Sequence, residues 1–284
     1  MTGTPVPIDA DLARKIVRPK PADAHKGTVG TLALVAGCPE YRGAAVLAAK
    51  GAYRAGAGLV RVVAEEPVCA AVAASVPEAV FCPQQELVSA LASCTAAVAG
   101  PGMPIGGPVR DLMLSVIRGT DRPLVIDGGG LSSAASDLDA IDGRTGPTVL
   151  TPHPGEFARL TGRPVPEILS SRFEAAADFS LAHPAVLVLK SDRTAVACAG
   201  RVFVNTAGNA GLAKAGSGDL LAGIIGALLA RGTDPLDAAL LGVWLHARAA
   251  DLAACSINTY SLCASDVAQA VSDVYNELLQ EQDR

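Results

Sequence analysis

The sequence predicts one α/β domain, a mostly parallel sheet with helices on both faces. Three observations carry that prediction. Short apolar runs closed by glycine or a polar residue alternate with Ala-rich stretches of helical period along nearly the whole chain. Half of the 284 residues are hydrophobic but only 4% are aromatic, so the core must be built from Ala, Val, Leu and Ile, a mixture that suits parallel strands covered by helices. No linker, repeat or compositional break interrupts the alternation, and the length suffices for a single large domain.

Residues 1–25 are Pro-rich and weakly patterned, and are expected to run over the surface ahead of a domain spanning 26–284, with a short helix over 11–17. The first buried strand is 30–37, closed by Gly37. An Ala-rich helix over 44–55 and a strand over 59–64 complete a βαβ unit. A helix near 68–75 and a short strand near 80–82 continue the pattern. The strand 96–99 ends in Gly100-Pro101-Gly102-Met103, and a helix over 109–118 follows. The strand 123–127 ends in Gly128-Gly129-Gly130-Leu131, and the strand 148–151 in Pro152-His153-Pro154-Gly155-Glu156, with Phe157 opening a helical period. After a helix around 171–181 comes the strand 186–190. The runs 194–199 and 201–205, separated by Gly200, predict a hairpin. The last third is helical, over 220–231, 235–254 and 265–280.

The net charge of −5 argues against a surface for nucleic acid or anionic membrane. Seven cysteines (Cys38, Cys69, Cys82, Cys94, Cys198, Cys255, Cys263) are scattered without a Cys-x-x-Cys pair, which fits reduced thiols better than disulfides or zinc. The N-terminus lacks a signal-like apolar core, and no stretch reaches the ~18 apolar residues of a membrane span. The expected compartment is the cytoplasm.

One stretch concentrates chemistry: the glycine-rich run from Asn205 to Asp219, followed directly by an apolar run without proline. That run reads as a buried helix. Gly216, Ser217 and Gly218 then fall at its N-terminus, where free N–H groups and the helix dipole favour an anion. Asp219, in the first turn, can be a helix-stabilising charge or a base aimed at whatever attacks a phosphate. Ligands of open α/β sheets bind at the carboxyl ends of strands. Here those ends are polar and glycine-rich: Ala36-Gly37, Gly100-Pro101-Gly102, Asp127-Gly128, Thr151-Pro152-His153 and Lys190-Ser191-Asp192. His153 stands between two prolines that fix its loop. Lys190 opens a polar turn through Ser191, Asp192, Arg193 and Thr194, suited to a phosphate or adenosine contact or to a plain hairpin turn. Lys26-Gly27-Thr28-Val29-Gly30 puts a cation and glycines before the first strand without the Walker A order, and Gly37-Cys38-Pro39 is no dinucleotide fingerprint. His25, His153, His183 and His246 fall in unrelated contexts, so no residue is assigned to a metal.

Together these stretches resemble the ADP-dependent NAD(P)H-hydrate dehydratase family of the ribokinase-like superfamily. The resemblance runs from residue 26 to about 270. It rests on Lys26-Gly27 with Gly30, Gly43-Ala44, Ala99-Gly100-Pro101-Gly102, Leu150-Thr151-Pro152-His153-Pro154-Gly155-Glu156, Leu189-Lys190, and Asn209 and Gly211 leading into Gly216-Ser217-Gly218-Asp219. The family implies a ribokinase-like fold in which Ala44, Gly102, His153 and Asp219 contact a hydrated nicotinamide dinucleotide. Lys190, Ser191, Asp192, Arg193, Thr194 and Gly218 would hold the AMP part of ADP, or of ATP, used with Mg²⁺. The implied reaction returns S-NADHX or S-NADPHX to NAD(P)H with release of AMP and phosphate. A homotetramer is implied too, as is a separate NAD(P)HX epimerase, since the chain has no length for the epimerase domain that many relatives carry. Trp244 and Leu245, extending an apolar face, fit the expectation of an oligomer. Two departures stand out. Asp127-Gly128-Gly129-Gly130-Leu131 replaces the common Asp-Ala-Asp-Ala-Leu and loses its second carboxylate, and Lys214-Ala215-Gly216 stands where two glycines are commoner. An ATP-dependent kinase of a small alcohol such as a vitamin precursor, or a nucleotide-binding protein without turnover, shares most of these features.

Overall fold

A computed structural model describes residues 4–20, 23–24 and 29–280; the expected contribution of Lys26, Gly27 and Thr28 lies outside the described residues. Among the described residues ten strands form one sheet: β1 (Val6–Ile8), β2 (Thr31–Val35), β3 (Leu59–Ala64), β4 (Val80–Pro83), β5 (Ala96–Ala99), β6 (Leu124–Ile126), β7 (Thr148–Leu150), β8 (Val186–Leu189), β9 (Ala195–Cys198) and β10 (Arg201–Asn205). Their order is β1-β10-β9-β8-β7-β6-β5-β2-β3-β4. Every neighbouring pair is parallel except those made by β9, which runs against both β8 and β10. The chain leaves β2 outward through β3 and β4, then returns to the other side of β2 as β5. This reversal opens a crevice at the carboxyl ends of β2 and β5, the usual ligand position in such sheets.

The expected strands are all present, and β9 and β10 form the expected hairpin. Ala199 and Gly200 between them have φ of 47° and 76°, the pair of positive values that fits the twist of a tight hairpin. β5 reads Ala-Ala-Val-Ala, a poor strand by propensity. It is held in the sheet by its position between β2 and β6, where every side chain is fully buried.

Two apolar layers cover the sheet. One contains the helices Arg42–Arg54, Ser217–Ala230, Pro235–Ala253 and Ala264–Gln280; the other contains Gly107–Gly119, Gly128–Ala134, Pro154–Thr161 and Arg172–Ala182. The Ser217–Ala230 helix is buried at every residue from 220 onward. It meets the Arg42–Arg54 helix backbone to backbone: a Cβ on Gly223 would lie 2.0 Å from the Ala48 carbonyl oxygen, and one on Gly51 would lie 2.4 Å from that of Leu220. This contact fixes where the first turn of the Ser217–Ala230 helix stands. Among the described residues, no helix is long and apolar enough to cross a membrane.

Two expectations are corrected. The N-terminal segment does not simply run over the surface: β1 adds to the sheet beside β10, and Ile8, Ala13 and Val17 are buried in the core. A three-residue strand gives no readable alternation, and Pro7 is tolerated because β1 is an edge strand. Trp244 and Leu245 do not extend an open apolar face; both are buried within this chain. The glycine run after β6 opens a further helix, Gly128–Ala134, for which its composition carries no helical signal.

Candidate active site

The carboxyl ends of β6, β7 and β8 lie side by side and bring together four groups far apart in sequence. Asp127 follows β6 and is 2% exposed. Its Oδ1 accepts hydrogen bonds from the Thr151 hydroxyl at 2.7 Å and the Lys190 ammonium at 2.8 Å. Lys190 follows β8, and its Nζ is also 3.9 Å from Glu156 Oε2. Burial works against the Lys190 ammonium, but the carboxylates of Asp127, Glu156 and Asp219 outweigh it and raise its pKa.

His153 and Glu156 are placed by one local device. His153 is the N-cap of the Pro154–Thr161 helix, its Nδ1 accepting from the amides of Gly155 at 3.0 Å and Glu156 at 3.3 Å. Glu156 Oε2 accepts in return from the His153 amide at 2.8 Å, which completes a capping box with Pro154 at the first helical position. The histidine ring stays half-exposed at the strand edge while Glu156 is buried.

The Ser217–Ala230 helix faces this cluster with its N-terminus. Its N-cap, Gly216, has φ +90°, and a Cβ there would be 2.3 Å from Leu47 Cδ1, so both the turn and the packing require glycine. A Cβ on Gly218 would lie 3.0 Å from Lys190 Nζ, which places the ammonium against the first turn. Gly218 and Asp219 carry amides of the kind that a helix start leaves without intrahelical partners. Burial, then the Asp127 carboxylate, push the Asp219 pKa up to about 6; Lys190 opposes this and Glu156 adds to it. Behind the turn, Ser217 Oγ lies 3.1 Å from His246 Nε2, both residues buried. Burial, then the Lys190 charge, push the His246 pKa down to about 4, so the ring is neutral.

Ala44 and Gly102 form a second patch at the β2–β5 crevice: a Cβ on Gly102 would lie 2.4 Å from that of Ala44. The two patches join through the backbone, since a Cβ on Gly100 would lie 2.0 Å from the Asp127 carbonyl oxygen. Ser191–Thr194 stands apart as a self-bonded turn. The Thr194 hydroxyl accepts from the Ser191 amide at 3.4 Å, and Arg172 donates to Ser191 Oγ at 3.0 Å and pairs with Asp192. Position 129 has a steric reason to be glycine here, since a Cβ would lie 1.7 Å from the Met103 carbonyl oxygen.

Asp219, Lys190, Gly218 and His153 were legible at strand ends or at the helix start. Asp127 was legible only as a strand end, and Glu156 only within its motif, although its spacing from His153 is that of a capping box. His246 is a site neighbour that its sequence context did not reveal.

Fold and site define the class: a ribokinase-like α/β protein with a carboxylate at the start of a buried helix, facing the strand ends. A family model described as NAD(P)H-hydrate dehydratase matches residues 32–272. The chain belongs to that family. It is 44% identical over 244 residues to a bifunctional NAD(P)H-hydrate repair enzyme Nnr of Gloeobacter violaceus, covering 82% of this chain and 47% of that protein. It is 35% identical over 259 residues to an ADP-dependent (S)-NAD(P)H-hydrate dehydratase of Bacillus subtilis, covering 89% and 92%. The crystal structure of an ADP/ATP-dependent NAD(P)H-hydrate dehydratase from Bacillus subtilis, co-crystallized with ATP/Mg²⁺, superposes with a TM-score of 0.88 at 33% identity, covering 96% of this chain and 99% of that one. The chain spans about half the length of the bifunctional relatives it matches.

Proposed function

We propose that the protein dehydrates S-NADHX or S-NADPHX to NADH or NADPH at the expense of ADP, releasing AMP and phosphate. The observation that carries this reading is Asp219 in the first turn of the Ser217–Ala230 helix, its pKa raised to about 6 beside Lys190. A carboxylate so tuned is ionised at neutral pH yet basic enough to take a proton.

In this reading Ala44, Gly102 and His153 hold the hydrated dinucleotide, while Lys190, Ser191, Asp192, Arg193, Thr194 and Gly218 hold the AMP part of ADP. Asp219 takes the proton of the hydrate hydroxyl as its oxygen attacks the terminal phosphorus, and the bond from that phosphorus to AMP breaks. The amides of Gly216, Ser217 and Gly218, that of Ser217 giving up its 3.4 Å bond to the Lys214 carbonyl, and the helix dipole stabilise the phosphoryl group in transit. The new phosphate ester then leaves carbon, pushed by the ring nitrogen lone pair. Loss of a proton from the adjacent carbon restores the dihydronicotinamide. Among the described residues no group of three or more His, Cys, Asp or Glu could cage a metal. Mg²⁺ takes oxygen donors, and Asp219, a carboxylate in the first turn of the Ser217–Ala230 helix, would be the side chain to hold an ion brought by the nucleotide. When bound, Mg²⁺ supplies charge neutralisation on the phosphates.

The test is incubation with NADHX, Mg²⁺ and either ADP or ATP, following the absorbance of regenerated NADH. Absence of NADH with both nucleotides overturns the reading.

His153→Ala is expected to raise KM for the hydrate with KM for ADP nearly unchanged, the lost hydrogen bond costing ~1.5–3 kcal/mol. The same change removes a helix cap, so the fold should lose about 0.5–2 kcal/mol. His153→Asn keeps a capping oxygen and separates the two effects; an equal rise in KM for ADP would move His153 to the other subsite.

The protein is further proposed to act in the cytoplasm as a homotetramer, beside a separate NAD(P)HX epimerase. With Trp244 and Leu245 buried, the family resemblance alone supports the tetramer. Light scattering at micromolar concentration checks it, and a monomer there removes the claim.

A further inference from the structure

His246 is a buried titratable side chain that the reaction above leaves unused. It lies within the Pro235–Ala253 helix, 7% exposed, with Nε2 3.1 Å from the hydroxyl of Ser217, which is 9% exposed and opens the Ser217–Ala230 helix. A neutral imidazole has one N–H and the serine one O–H, so the pair has two arrangements. With Nε2 bare, Ser217 donates to His246 and only oxygen lone pairs remain for the helix N-terminus, where they repel an anion. With Nε2 protonated, the imidazole donates to the serine oxygen and the Ser217 O–H is free to donate elsewhere. An anion at the helix start selects the second arrangement. A doubly protonated ring is disfavoured, because it would bury a second cation near Lys190.

We propose that His246 is a positioning residue: as the Nε2–H tautomer it holds the Ser217 oxygen and turns the hydroxyl toward the transferred phosphoryl group. The helix N-terminus thereby gains a side-chain donor beside its backbone amides. The inference rests on the phosphoryl-transfer reading of the site and adds to it the orientation of one donor.

The test combines kinetics with a tautomer measurement. Ser217→Ala should lower kcat by about 10²-fold, the usual effect of removing one donor to a developing charge. His246→Leu, which leaves the hydroxyl unguided, should lower kcat by about 10-fold. KM for ADP should stay within about twofold in both, as expected for interactions made in the transition state. The double variant should be no slower than Ser217→Ala. His246→Gln, whose amide can donate in place of Nε2, should recover most of the loss seen with Leu. Wild-type kcat in Ser217→Ala, or a Gln variant as slow as Leu, overturns the proposal.

Long-range ¹H–¹⁵N spectra of histidine-labelled, ADP-bound protein should show His246 with Nε2 protonated and Nδ1 bare, the signal assigned by its loss in His246→Gln. A bare Nε2 overturns the proposal whether or not the protein dehydrates NADHX. That measurement needs neither turnover nor a folded Leu variant, so it separates failure of the inference from failure of the proposed function.

Discussion

Asp219→Asn is expected to lower turnover by ~10²–10⁴-fold and to stabilise the fold at the same time. The rate loss follows from removing a general base while keeping its size and most of its hydrogen bonding. Affinity for ADP should hold or improve slightly, because a negative charge beside the phosphates is gone. The gain in stability follows from the same pKa. The carboxyl moves from 3.8 to about 6 on folding, chiefly because it is buried, then because Asp127 is close. Below the unfolded pKa both states are protonated and the group costs nothing. As the pH rises through the folded pKa, the native state must carry a charge that its site disfavours, so stability is lost. At pH 8 the asparagine variant should therefore be more stable by about 1–3 kcal/mol, the gap closing toward pH 4. Wild-type kcat/KM should fall below pH 6 as the base is protonated, a limb that the variant lacks. Turnover assays and urea titrations at the two pH values check both halves. Wild-type turnover in the variant would remove Asp219 from the catalytic role, and a stability loss of ~0.3–1 kcal/mol in place of the gain would make it a helix-stabilising charge.

The two halves of the site differed in how far sequence could reach. Strand ends such as Gly37, Asp127, His153 and Lys190 were visible because each closes an apolar run, and Asp219 because a helix start follows a glycine run. Their meeting was not visible. The Asp127–Lys190 bond spans 63 residues and the Ser217–His246 bond spans 29; both depend on which strands and helices become neighbours. Single elements failed for local reasons. β1 is three residues long and contains Pro7, too little to show a period. The Gly128–Ala134 helix begins with three glycines, whose composition denotes a turn. The packing explains the middle one, since Gly129 has a carbonyl oxygen 1.7 Å from where its Cβ would stand. Any side chain at that position, a carboxylate included, is therefore sterically excluded by the Met103 carbonyl.

Lys190→Met should cost about 3–5 kcal/mol of stability, well beyond the loss of an ordinary ion pair. Exposed pairs contribute about 0–1 kcal/mol, because water solvates both charges when the pair is broken. Here water has little access: the side chains of Asp127 and Glu156 are 3% and 7% exposed, and that of Lys190 is 18% exposed. Methionine fills much of the lysine volume, so packing changes little. What changes is that two carboxylates and Asp219 share a site with no cation. Removing one partner of a buried pair leaves the other uncompensated, and this desolvated charge sets the size of the effect. Asp127→Asn added to Lys190→Met should return a large part of the stability, because the neutral amide oxygen can still accept from the Thr151 hydroxyl, which donates to Asp127 at 2.7 Å. Urea titration of the wild type, both single variants and the double variant yields the coupling energy directly. A Lys190→Met loss below 1 kcal/mol, or additive single losses, would mean that the Asp127–Lys190 pair is solvated like a surface pair and does not hold the strand ends together.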